Sequence, residues 1–132
     1  MAGTLVLTSH VEPSPLVGKL IIDGVADAAA ATFPTLVLPA IDGHLVALIT
    51  NPGATAPTAL YDITLVDVEG ADRLQGVGAN RSATATEQVG IVYSGTSLHP
   101  PVAIGEQLTL TIANNSVNSA GIRIVIYYGR GV

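Results

Sequence analysis

Residues Gln107 to Tyr128 read QLTLTIANNSVNSAGIRIVIYY. Between Gln107 and Ala113, Leu108, Leu110 and Ile112 alternate with Thr109 and Thr111, the period-two pattern of a strand with one buried face. Asn114 to Ser119 is a polar turn, built from residues that bond their own backbone and tolerate unusual φ. Ile122 to Tyr128 then forms a second strand, with Ile122, Ile124, Ile126 and Tyr128 on one face. Its other face carries Val125 and Tyr127, where a solvated strand would carry charges. Two readings fit: a contact stripe for another protein, or a central strand covered on both faces within its own domain.

Outward from this hairpin the same punctuation continues. Thr4 to Thr8 alternates Leu5 and Leu7 against Thr4, Val6 and Thr8. Leu16 to Ile22 is a strand that Asp23-Gly24 is expected to turn. Thr35 to Leu38, between Pro34 and Pro39, suits an edge strand, because proline cannot donate to a central ladder. Asp42-Gly43 opens an almost wholly apolar strand from His44 to Thr50, stopped by Asn51-Pro52-Gly53. Leu60 to Val68 sets Tyr61, Ile63 and Leu65 opposite Asp62, Thr64 and Val66, and Glu69-Gly70 turns it. Arg73-Leu74 is the start of a short return, and Gly76 to Thr86 reads as a long loop. A strand from Val89 to Tyr93 and a loop from Ser94 to Pro101 complete the pass. Ala26 to Thr32 holds four consecutive alanines but is too short for a free-standing helix, so it reads as a loop or one helical turn. Roughly eight strands with turns every 8–15 residues predict an all-β fold, a single jelly-roll-like β-sandwich spanning residues 1–132. Met1 to Ser9 suits an N-terminal arm or added strand, with Leu5 and Leu7 as contacts.

Composition sharpens this. Apolar residues make up 48% of the 132, but charged residues only 11%, far below the ~25% usual for globular domains. With so few charges to solvate a surface, part of the apolar surface is expected to be buried against other copies or other proteins. A single lysine, Lys19, leaves the sheet edges without their usual guard. The net charge of −5 has the wrong sign for a phosphate backbone, so no nucleic-acid partner is expected. Gly, Pro, Asp or Thr interrupts every apolar run before membrane-spanning length, and the first residues lack the basic head and apolar run of a secretory signal. Without cysteine, neither disulfides nor thiolate metal sites can form.

The chain offers little to catalysis. His10, His44 and His99 each stand alone, without a second ligand at metal-site spacing. Asp67, Glu69 and Asp72 around Gly70 faintly echo a calcium loop, but lack the twelfth-position glutamate and the flanking helices. A hairpin tip solvated by carboxylates accounts for them more simply. No serine sits in G-x-S-x-G, and the glycines punctuate turns without forming a phosphate cradle. Asn80-Arg81-Ser82 matches a glycosylation sequon and nothing more. No enzyme activity, metal or cofactor is expected.

One part of the chain has a familiar texture. Residues Asn51 to Thr58, then Tyr61-Asp62-Ile63-Thr64-Leu65, Gly70-Ala71-Asp72 and Ala79-Asn80-Arg81-Ser82, resemble small β-rich structural proteins of tailed bacteriophages and prophages. Asn114 to Ala120, leading into the last strand, is similar to the ends of the same proteins. The resemblance covers Asn51 to Ile126 and rests on turn and strand signatures. It implies a virion component, in particular a capsid decoration (cement) protein that forms a homo-oligomer, a trimer, and binds the major capsid protein. Such a protein would use Leu5, Leu7, Val125 and Tyr127 as contacts. The rival readings are a tail, neck or baseplate accessory protein, and a receptor- or carbohydrate-binding module on the phage surface. The second is disfavoured by the absence of tryptophan and the presence of only four tyrosines.

Overall fold

A computed structural model describes residues 1–14, 17–41, 43–91, 102–104 and 106–129. Nine strands appear there: β1 (Thr4–Ser14), β2 (Val17–Val25), β3 (Leu36–Val37), β4 (Gly43–Pro52), β5 (Asp62–Val66), β6 (Glu87–Gly90), β7 (Val102–Ile104), β8 (Thr109–Ala113) and β9 (Gly121–Gly129). No helix occurs among the described residues. The larger sheet is ordered β1-β2-β9-β4. Its fifth position is shared by two short strands, β6 beside Ala47–Thr50 and β7 beside Gly43–Leu45 of β4. The smaller sheet is β3-β8-β5, and every pairing in both sheets is antiparallel. From β2 onward the chain changes sheet at each step, with β6 and β7 counting as one.

The two sheets enclose a single core. Even-numbered residues of β2 and β9 point inward, so Leu20 and Ile22 lie beside Ile122, Ile124, Ile126 and Tyr128. Ile63 and Leu65 of β5, with Leu110 and Ile112 of β8, face them from the smaller sheet. Phe33, Leu38, Leu74 and Ile91 fill the margins. Each fully buried aliphatic side chain contributes about 1.5–3 kcal/mol, so a core of Leu and Ile holds the sandwich with few aromatics. Tyr128 reaches across β2 at Gly18, where an added Cβ would fall 1.9 Å from the ring Cζ. That position requires the smallest residue. The alternation expected for β5 and β8 is the observed one, whereas in β9 it is interrupted at Val125, which is expected to be exposed but is buried.

Local chemistry explains where the strands differ from expectation. Asp23-Gly24 is not a turn: both residues continue β2, opposite Arg123 and Ile122 of β9. The reversal comes later, where Asp27 Oδ1 accepts hydrogen bonds from the amides of Ala29 and Ala30 and Ala31 adopts a left-handed φ of 62°. β4 likewise runs through Asn51 and Pro52. The Gly53 amide bonds Gly121 of β9, so the proline nitrogen points to the opposite side, beyond the end of β6, and no ladder bond is lost. β1 extends past Thr8 to Ser14, with register shifts at Leu7/Ser9 and Val11/Ser14. β7 is a strand that periodicity did not reveal. Residues 94–101, expected as a loop, and His99 within them lie outside the described residues. Asn115 ties three segments together: its Nδ2 donates to Ala31 O at 2.6 Å, and its Oδ1 accepts from Thr58 N at 3.0 Å.

Among the described residues the core contains one polar flaw. The hydroxyls of Thr50 and Tyr61 are both buried and make no hydrogen bond of normal geometry. Burial raises the Tyr61 pKa, and the nearby Thr50 hydroxyl only partly offsets this.

Two stability measurements test this packing. Gly18→Ala is expected to cost about 1–3 kcal/mol in urea denaturation, because the buried Tyr128 ring must move. The double replacement Thr50→Val with Tyr61→Phe is expected to be neutral or stabilising by up to about 1 kcal/mol, since it removes both unsatisfied groups at once.

Candidate interaction surface

The outer face of the larger sheet is where the chain departs furthest from an ordinary soluble surface. Register places its side chains in rows across the strands. Val6, Asp23, Arg123 and Asn51 form one row. Ser9, Ile21, Val125, Ile49 and Gln88 form the next, followed by Val11, Lys19, Tyr127 and Ala47. The middle of the face is therefore Ile21, Val125, Ile49, Tyr127 and Ala47. Nine large apolar side chains are exposed among the described residues, and five of them (Val6, Val11, Val17, Val25 and Val46) belong to this sheet. Val46 occupies the bulge of β4. Val17, Val46, Ala47, Ile49, Gln88 and Tyr127 line an open concavity of about 360 Å³, with Tyr128 and Gly129 at its margin.

Charge on this face is sparse and mostly self-compensated. Arg123 Nε donates to Asp23 Oδ1 at 2.7 Å and Nη2 to Oδ2 at 3.0 Å, while the Thr8 hydroxyl donates to Oδ2 at 3.0 Å. The Arg123 hydrogen bonds hold the Asp23 carboxyl below its usual range, against the opposing effect of burial. Lys19 Nζ stands 5.6 Å from the centroid of the Tyr127 ring, a cation–π distance. The face can thus do what an apolar patch with a thin polar rim does: exclude water against a partner.

Of the residues singled out from sequence, Val125 and Tyr127 are brought together here, with Val125 only 9% exposed and Tyr127 half-buried. Leu5 and Leu7 are not. They pair opposite Gly24 and Ile22, on the inner side. Leu5 is buried in the core, and Leu7 packs partly against it. Residues 4–9 are the start of β1, hydrogen-bonded to β2 as the outermost strand of the chain's own sheet. Sequence reasoning passed over Ile21, Ile49 and Val46. Their strands were visible, but which residues share a face depends on cross-strand register, which periodicity does not encode.

His10 and the carboxylates near Gly70 have structural partners. His10 Nε2 lies 2.6 Å from the Tyr128 hydroxyl, which also donates to Glu12 Oε2 at 3.4 Å, so a buried ring keeps its polar end satisfied. The carboxylates near Gly70 are not merely solvated. Asp67 Oδ1 accepts from the amides of Glu69 and Ala71. Asp72 Oδ1 accepts from Leu65 and Leu74, and its Oδ2 from Gly76. They fasten the loop that carries them. Among the described residues, no group of three or more His, Asp or Glu is placed to hold a metal ion, and no helix is long and apolar enough to cross a membrane.

No family model matches the chain, and no curated protein matches it. Among solved structures, 98% of the chain aligns with 87% of a chain from the cyanophage Pam1 capsid asymmetric unit, at 19% sequence identity and a TM-score of 0.32. A likeness at that score carries no argument about fold or function.

The ion pair on this face is open to direct measurement. The Asp23 carboxyl is expected to titrate below 3.8 by NMR and to move up towards that value in Arg123→Ala. Because its folded-state pKa is depressed, the pair stabilises the fold above pH 3.8, and that contribution fades as pH falls through the folded pKa. The pair is exposed, so its effect on stability at neutral pH is expected to be small.

Proposed function

We propose that this chain is a structural component of a phage virion, most specifically a capsid decoration protein that self-associates and binds the major capsid protein, with the outer face of its larger sheet as a surface for contact with protein. The observation that carries this reading is that face: five exposed valines around Ile21, Ile49, Val125 and Tyr127, with Lys19 the only charge in the middle rows. Such a surface is costly to leave in water and ordinary to bury against protein. The resemblance of residues 51–126 to small phage structural proteins supports the same reading. So does the strand order, β1-β2-β9-β4-β6 against β3-β8-β5, in which the chain alternates between sheets from β2 onward, with β6 and β7 counting as one, in the manner of a jelly roll.

In this reading Val125 and Tyr127 belong to the contact surface, and the protein works by adhesion, without catalysis or a cofactor. A cyclic oligomer, a trimer in the specific form of the proposal, would touch several shell subunits at once. Linked contacts raise avidity by roughly 10²–10⁴ over a single one, so each patch need bind only modestly. Bridged neighbours would then resist the outward pressure of the packed genome.

Copy number and position in intact particles test the assignment. Cryo-electron microscopy is expected to place the protein on the capsid lattice in hundreds of copies, and a few copies on the tail would refute the decoration role. The purified protein is expected to sediment as a homo-oligomer.

A further inference from the structure

We propose that the acidic turn after β5, residues 67–70, is a preformed knob that seats in the outer-face concavity of a second copy of this chain. The proposal rests on the self-association reading above and names the contact that would produce it.

The knob is rigid for its size. Asp67 N donates to Ala71 O at 3.1 Å, Gly70 N donates to Asp67 O at 3.1 Å, and Asp67 Oδ1 takes the amides of Glu69 and Ala71 at 2.9 and 3.0 Å. Gly70, at φ 85°, supplies the left-handed step the turn requires. Arg73 holds the other oxygen of Asp67 at 3.8 Å. These bonds leave Val68 at the tip, 76% exposed, the most exposed large apolar side chain after Met1 among the described residues. A backbone already held in its turn loses little freedom on docking, so burial of its apolar tip goes into affinity.

The concavity is the complementary shape. Val17, Val46, Ala47, Ile49 and Tyr127 give it an apolar lining, and its volume of about 360 Å³ admits a branched aliphatic side chain. Its charge is complementary too. Asp23 neutralises Arg123, which leaves Lys19, above the Tyr127 ring, as a charge beside the concavity among the described residues. Lys19 makes no ion pair among the described residues. The knob carries Glu69 next to Val68, so Val68 in the concavity brings Glu69 towards Lys19. One copy cannot fill its own site, because the knob extends from the smaller sheet and the concavity lies on the outer side of the larger one. Knob and concavity are different patches, so the contact is head-to-tail and generates a ring when the rotation closes.

Sedimentation velocity on the full chain from about 1 to 100 μM tests this. The variants are Val68→Asp, Lys19→Glu, Glu69→Lys and the double Lys19→Glu/Glu69→Lys. Circular dichroism is expected to show each one folded, since all these side chains lie at the surface. Val68→Asp is expected to weaken association by at least about tenfold, because a carboxylate would enter an apolar site. Each single charge reversal is expected to weaken it about fivefold, and the double to return within about twofold of wild type. An oligomer unchanged by Val68→Asp overturns this contact and leaves self-association standing. If particle binding is then lost in Val46→Asp, the concavity belongs to the shell. A wild-type chain that stays monomeric overturns the contact and the self-association reading together.

Discussion

β9 lies between β2 and β4 along its whole length, and most of the molecule depends on that placement. Its even-numbered residues supply Ile122, Ile124, Ile126 and Tyr128 to the core, while its odd-numbered residues set Arg123, Val125 and Tyr127 on the outer face. One strand therefore fixes both the interior and the surface through which the protein is proposed to act. A register slip of a single residue would exchange the two sets. Tyr128 lying over Gly18 and the Asp23–Arg123 pair each oppose such a slip, the first by shape and the second by charge.

Much of this was legible in the sequence. The alternation in Gln107–Ala113 and Ile122–Tyr128 identified two strands and their buried sides, because period-two burial is written directly into residue order. Val125 and Tyr127 could be singled out for the same reason. Leu5 and Leu7 show the limit. Their alternation was visible, but whether they face core or solvent depends on which residues of β2 lie opposite, and those are Gly24 and Ile22. Asp23-Gly24 has the composition of a tight turn, yet tertiary pairing overrides it: Gly24 accommodates Leu5, and Asp23 has a cation across the ladder. β7 was missed because a three-residue strand carries too little pattern to read.

The scarcity of charge also takes on a location. An 11% charged fraction could have been spread evenly, leaving no patch at all. Instead, acidic residues gather at turns such as Asp67, Asp72 and Asp27, where their oxygens satisfy backbone amides. Little is left for the middle of the larger sheet. Loops fastened by carboxylates and an apolar outer face are two consequences of one allocation.

The order in which the strands leave the ribosome gives β9 a further significance. The two partners it joins are made long before it, and Asp23 and Arg123 stand 100 residues apart in the chain. Until β9 emerges, β2 and β4 each present an open edge with no strand to fill it. Closure is then a long-range, entropically expensive event, the kind that slows folding and leaves nascent chains exposed to mispairing. Because β9 is made after both β2 and β4, the larger sheet cannot close until β9 has been synthesised.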